Sequence, residues 1–223
     1  MIERTRMRRL VRTLSVAVMR RYMRWSLRIT VEGLEHLPRS GGAVVIANHA
    51  CALDGWLMVC AIPRMMYFFT LARFFANPVA AWYGRMMGAV PDHGGADRSA
   101  TLAVGETVLA AGGLLLSFPE GNVNPTPGEL RTFKNGFLLL AQRCGVPVVP
   151  VAIIGSERAL RDPQRPRGLR GWRLRPAQIR IVVMEPVASP PIGDDRQAFE
   201  HQREHIRQII ADTIREGVNS ESR

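Results

Sequence analysis

The sequence has few cysteines, and their arrangement excludes several kinds of site. The 223 residues include three cysteines, Cys51, Cys60 and Cys144, with no CxxC spacing. Disulfide frameworks and cysteine-based zinc sites need paired or closely spaced cysteines. We therefore expect neither, and we expect a reducing cytoplasmic environment. His201 and His205 lie four residues apart without an evident third ligand, so we expect no metal site and no bound cofactor.

Two phosphate-binding signatures and a long apolar run are also missing. The chain contains neither GxxxxGK[ST] nor GxGxxG, which argues against a nucleotide-phosphate loop. Residues 50–72 are apolar on average, but Asp54, Pro63 and Arg64 interrupt them. No run reaches the ~20 residues that a membrane span needs. The arginines scattered through the N-terminus are also untypical of a secretory signal.

The basic charge is concentrated at the N-terminus. The formal net charge is +11, and residues 1–28 contribute nine arginines against one acid, Glu3. The rest of the chain therefore carries only a small net charge, which argues against a nucleic-acid partner. Lys134 is the only lysine.

The same N-terminal segment predicts an amphipathic helix over residues 5–28. Apolar side chains recur at spacings of three and four, from Met7 and Leu10 to Tyr22 and Trp25. A basic amphipathic helix that ends near an aromatic residue suits the surface of an anionic bilayer. We expect residues 1–28 to lie peripherally on the cytoplasmic face of the cell membrane. The alternative is a helix that packs on the domain with its arginines in solvent.

The remaining chain, residues 29–223, predicts a single α/β domain with a largely parallel sheet flanked by helices. Apolar segments alternate with helical patterns that end at glycines. The predicted strands are residues 28–32, 43–47, 114–118, 146–154 and 179–184. The predicted helices are residues 55–62, 76–87, 101–111, 133–144 and 199–216.

Polar side chains follow two of these strands at their carboxyl ends, where active groups collect in parallel sheets. His49 and Asp54 come after the 43–47 strand, and a carboxylate beside a neutral imidazole lets the ring accept a hydroxyl proton. Glu120 follows the 114–118 strand. Taken singly, His49 and Asp54 could equally form an ordinary hydrogen-bonded pair, and Glu120 could equally hold a loop. Cys51 is either a nucleophile beside His49 or a buried thiol.

Together the two clusters resemble the glycerolipid acyltransferase family, in particular its lysophosphatidate acyltransferase group. Residues 48–54 match NHxxxxD, and residues 118–121 read FPEG. Leu130, Phe133-Lys134 and Gly136 follow, and then the proline-containing strand at 146–151. The resemblance runs from about Val31 to Pro186. It implies that residues 29–223 form an acyltransferase domain.

The resemblance also implies the roles of the residues. His49 would act as general base on the acceptor hydroxyl and Asp54 would orient it, without an acyl-enzyme. The donor would be acyl-CoA or acyl-carrier protein, and the acceptor a lysolipid. Asn48, Glu120 and Gly121 would belong to the substrate-binding set.

The expected phosphate-binding cations depart from the family pattern. Asn122-Val123-Asn124 stands where relatives commonly have Thr-Arg, and Asp92-His93-Gly94 follows Pro91 where they usually have an Arg. Cations that could contact the acceptor phosphate instead are Arg73, Arg98, Arg131 and Lys134, or His93. Lysophosphatidate, another lysophospholipid, a lyso-ornithine lipid or a glycolipid are all left open as acceptors.

Three functions remain to be distinguished. The first is an acyltransferase. The second is a non-catalytic lipid-binding module on the same fold. The third is a thioesterase-like hydrolase that uses Cys51 or a water activated by His49.

Overall fold

The computed structural model describes residues 2–92, 98–126, 128–164, 168–189 and 196–221. The helices are α1 (Ile2–Ser26), α2 (Asp54–Ala61), α3 (Pro78–Met87), α4 (Arg98–Ala110), α5 (Gly136–Cys144), α6 (Gly168–Gly171) and α7 (Arg196–Glu221). The strands are β1 (Leu27–Glu32), β2 (Ala43–Ala47), β3 (Met66–Leu71), β4 (Ala89–Asp92), β5 (Leu114–Ser117), β6 (Val148–Ile154) and β7 (Ala177–Val183).

The seven strands form one sheet in the order β1-β7-β6-β2-β5-β3-β4. All pairs are parallel except β6 with β7, so β1 and β7 run opposite to the other five strands. The fold prediction of an α/β domain with a largely parallel sheet, preceded by an N-terminal helix, is confirmed.

Helices cover both faces of the sheet. Met23 of α1, Leu57 of α2 and Met87 of α3 belong to one buried apolar cluster. Leu109 of α4, Phe137 of α5 and Ile206 of α7 belong to the cluster on the other face. Neighbouring residues of β2 alternate between the two clusters, and the whole strand is buried, as expected for a central parallel strand.

Two strands, β3 and β4, lie where the sequence pattern predicts none. β3 follows α2 in one apolar stretch that is interrupted only around Pro63 and Arg64, so periodicity does not separate the strand from the helix. β4 has four residues, lies at the edge of the sheet and contains Pro91. Proline lacks a backbone N–H and is tolerated at a sheet edge, which explains how a proline-containing segment without a strand pattern still forms a strand.

α1 is continuous with the domain. The predicted border at residue 28 falls inside β1, which pairs with β7 from Leu27 onward. Met23 and Leu27 are buried in the core. Among the described residues, no helix combines the length and the apolarity that crossing a bilayer requires.

α3 has well-defined ends. The Asn77 side chain accepts hydrogen bonds from the backbone N–H groups of Val79 and Ala80, and Pro78 occupies the first helical position. Gly88, with φ of 96°, ends the helix in the left-handed conformation. In the chain, α3 begins at Pro78, shortly after β3 ends at Leu71.

Candidate active site

The two predicted polar clusters meet at one edge of the sheet. β2 and β5 are adjacent and parallel, with Ile46 paired to Ser117 near their carboxyl ends. The loops that leave these strands carry His49 and Glu120, so both residues lie at the same edge.

His49 is held at one ring nitrogen and across one ring face. Its Nδ1 lies 3.0 Å from Oδ2 of Asp54. The ring stacks on Phe118, with centroids 4.1 Å apart and an angle of 16° between the planes. The side chain of His49 is 18% exposed, and within the described structure Nε2 has no hydrogen-bond partner. With a proton on Nδ1, this geometry leaves Nε2 as a lone-pair acceptor.

Asp54 is fully buried, and its carboxylate is oriented by two contacts. Oδ2 also accepts a hydrogen bond from the backbone N–H of Cys51, at 2.8 Å. Asp54 is the first residue of α2, where the helix N-terminus favours a negative charge. Oδ1 has no partner among the described residues. Asp54 is therefore placed to orient the His49 ring through a single oxygen.

Glu120 ties the loop after β5 to the loop after β2. Its Oε1 accepts from the backbone N–H of His49 at 3.0 Å, and its Oε2 accepts from the backbone N–H of Arg131 at 3.0 Å. The side-chain amide of Asn124 donates to the same Oε2 at 3.3 Å. Glu120 is 5% exposed. These contacts hold the backbone of His49, whereas an acceptor contact for Glu120 stays a prediction.

Asn124 is a residue whose role sequence reasoning missed. Its backbone N–H donates to the carbonyl of His49 at 2.6 Å, and its amide bonds Glu120 and the carbonyl of Glu129. His49 is thus held on its N–H side by Glu120 and on its carbonyl side by Asn124. The sequence marks Asn124 as a departure from the family pattern but does not reveal this contact, which requires the loop to fold back.

Asn48 has structural contacts. Its side-chain amide donates to the carbonyl of Ile153 at 2.8 Å, and its side-chain oxygen accepts from the N–H of Ile153 at 2.7 Å. Asn48 therefore extends the pairing of β2 with β6 and sets the direction in which the chain enters His49. The predicted substrate contact of Asn48 stays untested.

Two of the predicted cations lie beside the FPEG turn. Gly121 has φ of 76°, and a Cβ added there would clash with Nζ of Lys134. The lysine side chain therefore crosses directly over this glycine. Lys134 and Arg131 are both exposed. The side chains of Arg73 and Arg98, and the whole of His93, lie outside the described structure.

Cys51 is unsuited to act as a nucleophile. The residue is fully buried. Desolvation, with a smaller contribution from the Asp54 carboxylate, raises the pKa of its thiol to about 12. Because the thiolate is the nucleophile, the structure argues against a hydrolase that uses this residue.

A groove of about 410 Å³ lies away from this site. It is lined by Arg64, Tyr67, Thr107 and Gly113, among others, at the amino ends of β3 and β5. The guanidinium of Arg64 donates to the carbonyls of Gly41 and Gly112. The groove is therefore at the opposite edge of the sheet from His49.

Comparisons with known proteins agree on one family. A family model described as Acyltransferase matches residues 28–154, which include His49, Asp54 and Glu120. A chloroplastic 1-acyl-sn-glycerol-3-phosphate acyltransferase from Arabidopsis thaliana is 30% identical over 163 residues, covering 72% of this chain and 44% of that protein. A 1-acyl-sn-glycerol-3-phosphate acyltransferase from Cocos nucifera is 27% identical over 195 residues, covering 84% of this chain and 58% of that protein.

A solved structure is similar over nearly the whole chain. It is the 1-acyl-sn-glycerophosphate acyltransferase PlsC from Thermotoga maritima, with a TM-score of 0.73 and 26% identity, covering 97% of this chain and 84% of that one. The chain spans about half the length of the curated relatives it matches.

Proposed function

The chain belongs to the acyltransferase family, and we propose on that premise that it transfers a fatty acyl chain from a thioester donor to the hydroxyl of a lysolipid. The donor is acyl-CoA or acyl-carrier protein, and both are substrates rather than bound cofactors. The observation that carries the proposal is the oriented His49–Asp54 pair, with Nε2 of His49 left as a proton acceptor.

The proposed reaction needs one base and no covalent enzyme intermediate. The acceptor hydroxyl gives its proton to Nε2 of His49 as its oxygen attacks the thioester carbonyl carbon. Asp54 stabilises the imidazolium that forms. When the tetrahedral intermediate collapses, the carbon–sulfur bond breaks and the leaving thiolate takes the proton back from His49. The products are an ester and a free thiol.

Cations beside the FPEG turn favour an anionic acceptor head group. Lys134 and Arg131 are exposed there, and we include Arg73 and Arg98 in the proposed binding set. Gly121 supports this by leaving room for the Lys134 side chain. The similar plant proteins are named for 1-acyl-sn-glycerol-3-phosphate, which makes that lysolipid the first acceptor to test.

The outward face of α1 supports a peripheral position on a membrane. Its exposed large apolar residues are Leu10, Leu14, Val18, Tyr22 and Trp25. They follow one another at spacings of three and four and so form a single stripe. Trp25 is 85% exposed. A basic helix with such a stripe fits the headgroup region of an anionic bilayer, on the cytoplasmic face of the cell membrane.

Free-thiol release from acyl-CoA, with identification of the lipid product, tests the proposal. Lysophosphatidate, another lysophospholipid, a lyso-ornithine lipid, a lysoglycolipid and a no-acceptor control are compared in parallel. We expect release that depends on an acceptor, with one new ester per thiol. Equal release without acceptor would indicate a thioesterase, and binding of lipid without release would indicate a lipid-binding module.

A further inference from the structure

Two long stretches of the sequence contain no acidic residue. Residues 4–31 and 55–91 hold no Asp or Glu, whereas the second stretch alone has three arginines, Arg64, Arg73 and Arg85. These stretches form nearly all of α1, α2, β3 and α3. The absence of acids therefore belongs to one connected part of the fold.

That part is one helical layer of the domain. α1, α2 and α3 pack on the same face of the sheet, opposite α4, α5 and α7. α1 carries eight arginines and one acid, whereas α7 carries four arginines and five acids. In this layer Asp54 is fully buried and adds no surface charge. The two faces of the molecule thus differ strongly in charge.

α3 adds an exposed apolar face to this basic layer. Val79 is 73% exposed and Trp82 is 48% exposed, three residues apart on one side of the helix. Arg85 continues the same side one turn later, with its guanidinium carbon 5.2 Å from the centre of the Phe75 ring. An exposed valine and tryptophan followed by an arginine suit a boundary between acyl chains and head groups.

Val79 and Trp82 lie toward the same edge of the sheet as His49. α3 begins soon after β3 ends, and at its other end the carbonyl of Gly88 accepts the N–H of Phe68, near the start of β3. α3 therefore runs from the carboxyl edge of the sheet back to the amino edge, with Val79 and Trp82 in its first two turns.

The end of α1 reaches this edge too. Leu27, which directly follows the last residue of α1, pairs with Ala177, the first residue of β7. Ala177 lies three residues before Arg180, which pairs with Ile154 at the carboxyl end of β6. Trp25 is therefore near the edge at which His49 lies.

We propose that Val79 and Trp82 of α3 form a second bilayer contact beside α1, and that an anionic phospholipid surface is its occupant. Together the two helices turn the His49 edge of the sheet toward the lipid from which the acceptor comes. The inference rests on the proposed function in taking a lipid as acceptor. Charge favours a bilayer over a second copy of the chain, because two copies joined by this layer would bring their arginines together.

Vesicle sedimentation of the full chain tests this contact with Val79→Asp and Trp82→Ser. An aspartate at residue 79 lies in the first turn of α3, where negative charge stabilises a helix, so the fold is kept. Val104→Asp is the matched control, because Val104 is an exposed valine on α4 in the opposite layer. The vesicles are phosphatidylcholine alone or an equal mixture with phosphatidylglycerol.

We expect Val79→Asp and Trp82→Ser each to lower partition onto the mixed vesicles by about tenfold, with Val104→Asp within about twofold of wild type. If both α3 variants bound the mixed vesicles as well as the wild type does, the inference would be overturned. A vesicle-free dimer that Val79→Asp dissociates would also overturn it, in favour of a second copy.

Turnover separates this inference from the proposed function. Acceptor-dependent thiol release with lysolipid dispersed below its micelle concentration should be unchanged in Val79→Asp. If the wild type released no thiol but Val79→Asp still lost vesicle binding, the transferase would fail and the bilayer contact would stand.

Discussion

His49 is the residue on which the proposed chemistry depends, and two carboxylates hold it in place. Asp54 holds Nδ1 of the ring, and Glu120 holds the backbone N–H. A base that must present one nitrogen to a substrate benefits from both constraints, because Asp54 fixes the orientation of the ring and Glu120 fixes the backbone that carries it. Burial excludes the neighbouring Cys51 as a nucleophile.

The burial of Cys51 leads to a prediction about how the free energy of unfolding depends on pH. In the folded chain burial raises the pKa of the Cys51 thiol to about 12, whereas in the unfolded chain the thiol loses its proton at about pH 8.5. The stability that this difference contributes is complete below the unfolded pKa and is lost as the pH rises toward the folded pKa. The free energy of unfolding should therefore fall more steeply between about pH 8.5 and about pH 11 in wild type than in Cys51→Ala.

Denaturant titrations at several pH values measure these slopes. Cys144→Ala is the control, since its thiol is only partly buried and its pKa is raised less by desolvation. Cys51→Ala should also keep its turnover. Equal slopes in wild type and Cys51→Ala, or lost turnover, would contradict this account of the thiol.

At the scale of elements, the loop after β5 holds His49 in place through residues beyond its FPEG motif. Glu120 accepts the backbone N–H of His49, and the backbone N–H of Asn124 donates to the carbonyl of the same residue. The backbone N–H of Arg131 donates in turn to Glu120. The loop after β5 thus stabilises the conformation of the loop after β2. The carboxylate of Glu120 accepts three N–H groups with two oxygens, which a neutral amide cannot do.

We therefore predict that Glu120→Gln lowers kcat by about tenfold or more, because the new NH₂ group faces an N–H donor and the His49 backbone loosens. Glu129→Gln is the control, because that side chain is exposed in the same loop. The measurement is acceptor-dependent turnover with separate kcat and KM values. A raised KM with unchanged kcat would instead indicate direct acceptor binding by Glu120.

The sequence predicts the elements of this site better than their contacts. β2 and β5 are apolar runs that end in polar clusters, so both strands, with His49 and Glu120 after their carboxyl ends, follow from the sequence pattern. The pairing of β2 with β5 is seen only in the structure. β3 and β4 cannot be predicted from the sequence pattern. β3 lies in an apolar run without alternation, and β4 is a short edge strand that contains a proline, so neither shows a clear period. The role of Asn124 depends on a loop that folds back, and local patterns do not encode such a return.

At the scale of the whole molecule, one helical layer is basic and has exposed apolar residues. The stripe on α1 faces outward, whereas Val16, Met19 and Met23 of the same helix face the core. Both faces of α1 are therefore apolar, and only one of them is used by the fold. An exposed apolar face flanked by arginines indicates an interaction surface rather than a solvated one.

We predict that Leu14→Ser combined with Val18→Ser lowers binding to anionic vesicles by about tenfold without changing the thermal unfolding midpoint, because both side chains are exposed. Wild-type binding should also weaken as salt is added, since the arginines are screened. Deletion of residues 1–26 is a poorer test, because it also removes Met23 from the core. Unchanged sedimentation of the double variant would refute the surface role of α1.

The most direct test of the central claim compares acceptor-dependent thiol release in wild type and in His49→Ala, with circular dichroism to verify that the variant is folded. The account predicts a loss of about 10²- to 10⁴-fold in His49→Ala, because the base that takes the hydroxyl proton is gone. Wild-type turnover in folded His49→Ala would contradict it, since the His49–Asp54 pair could not then be the base.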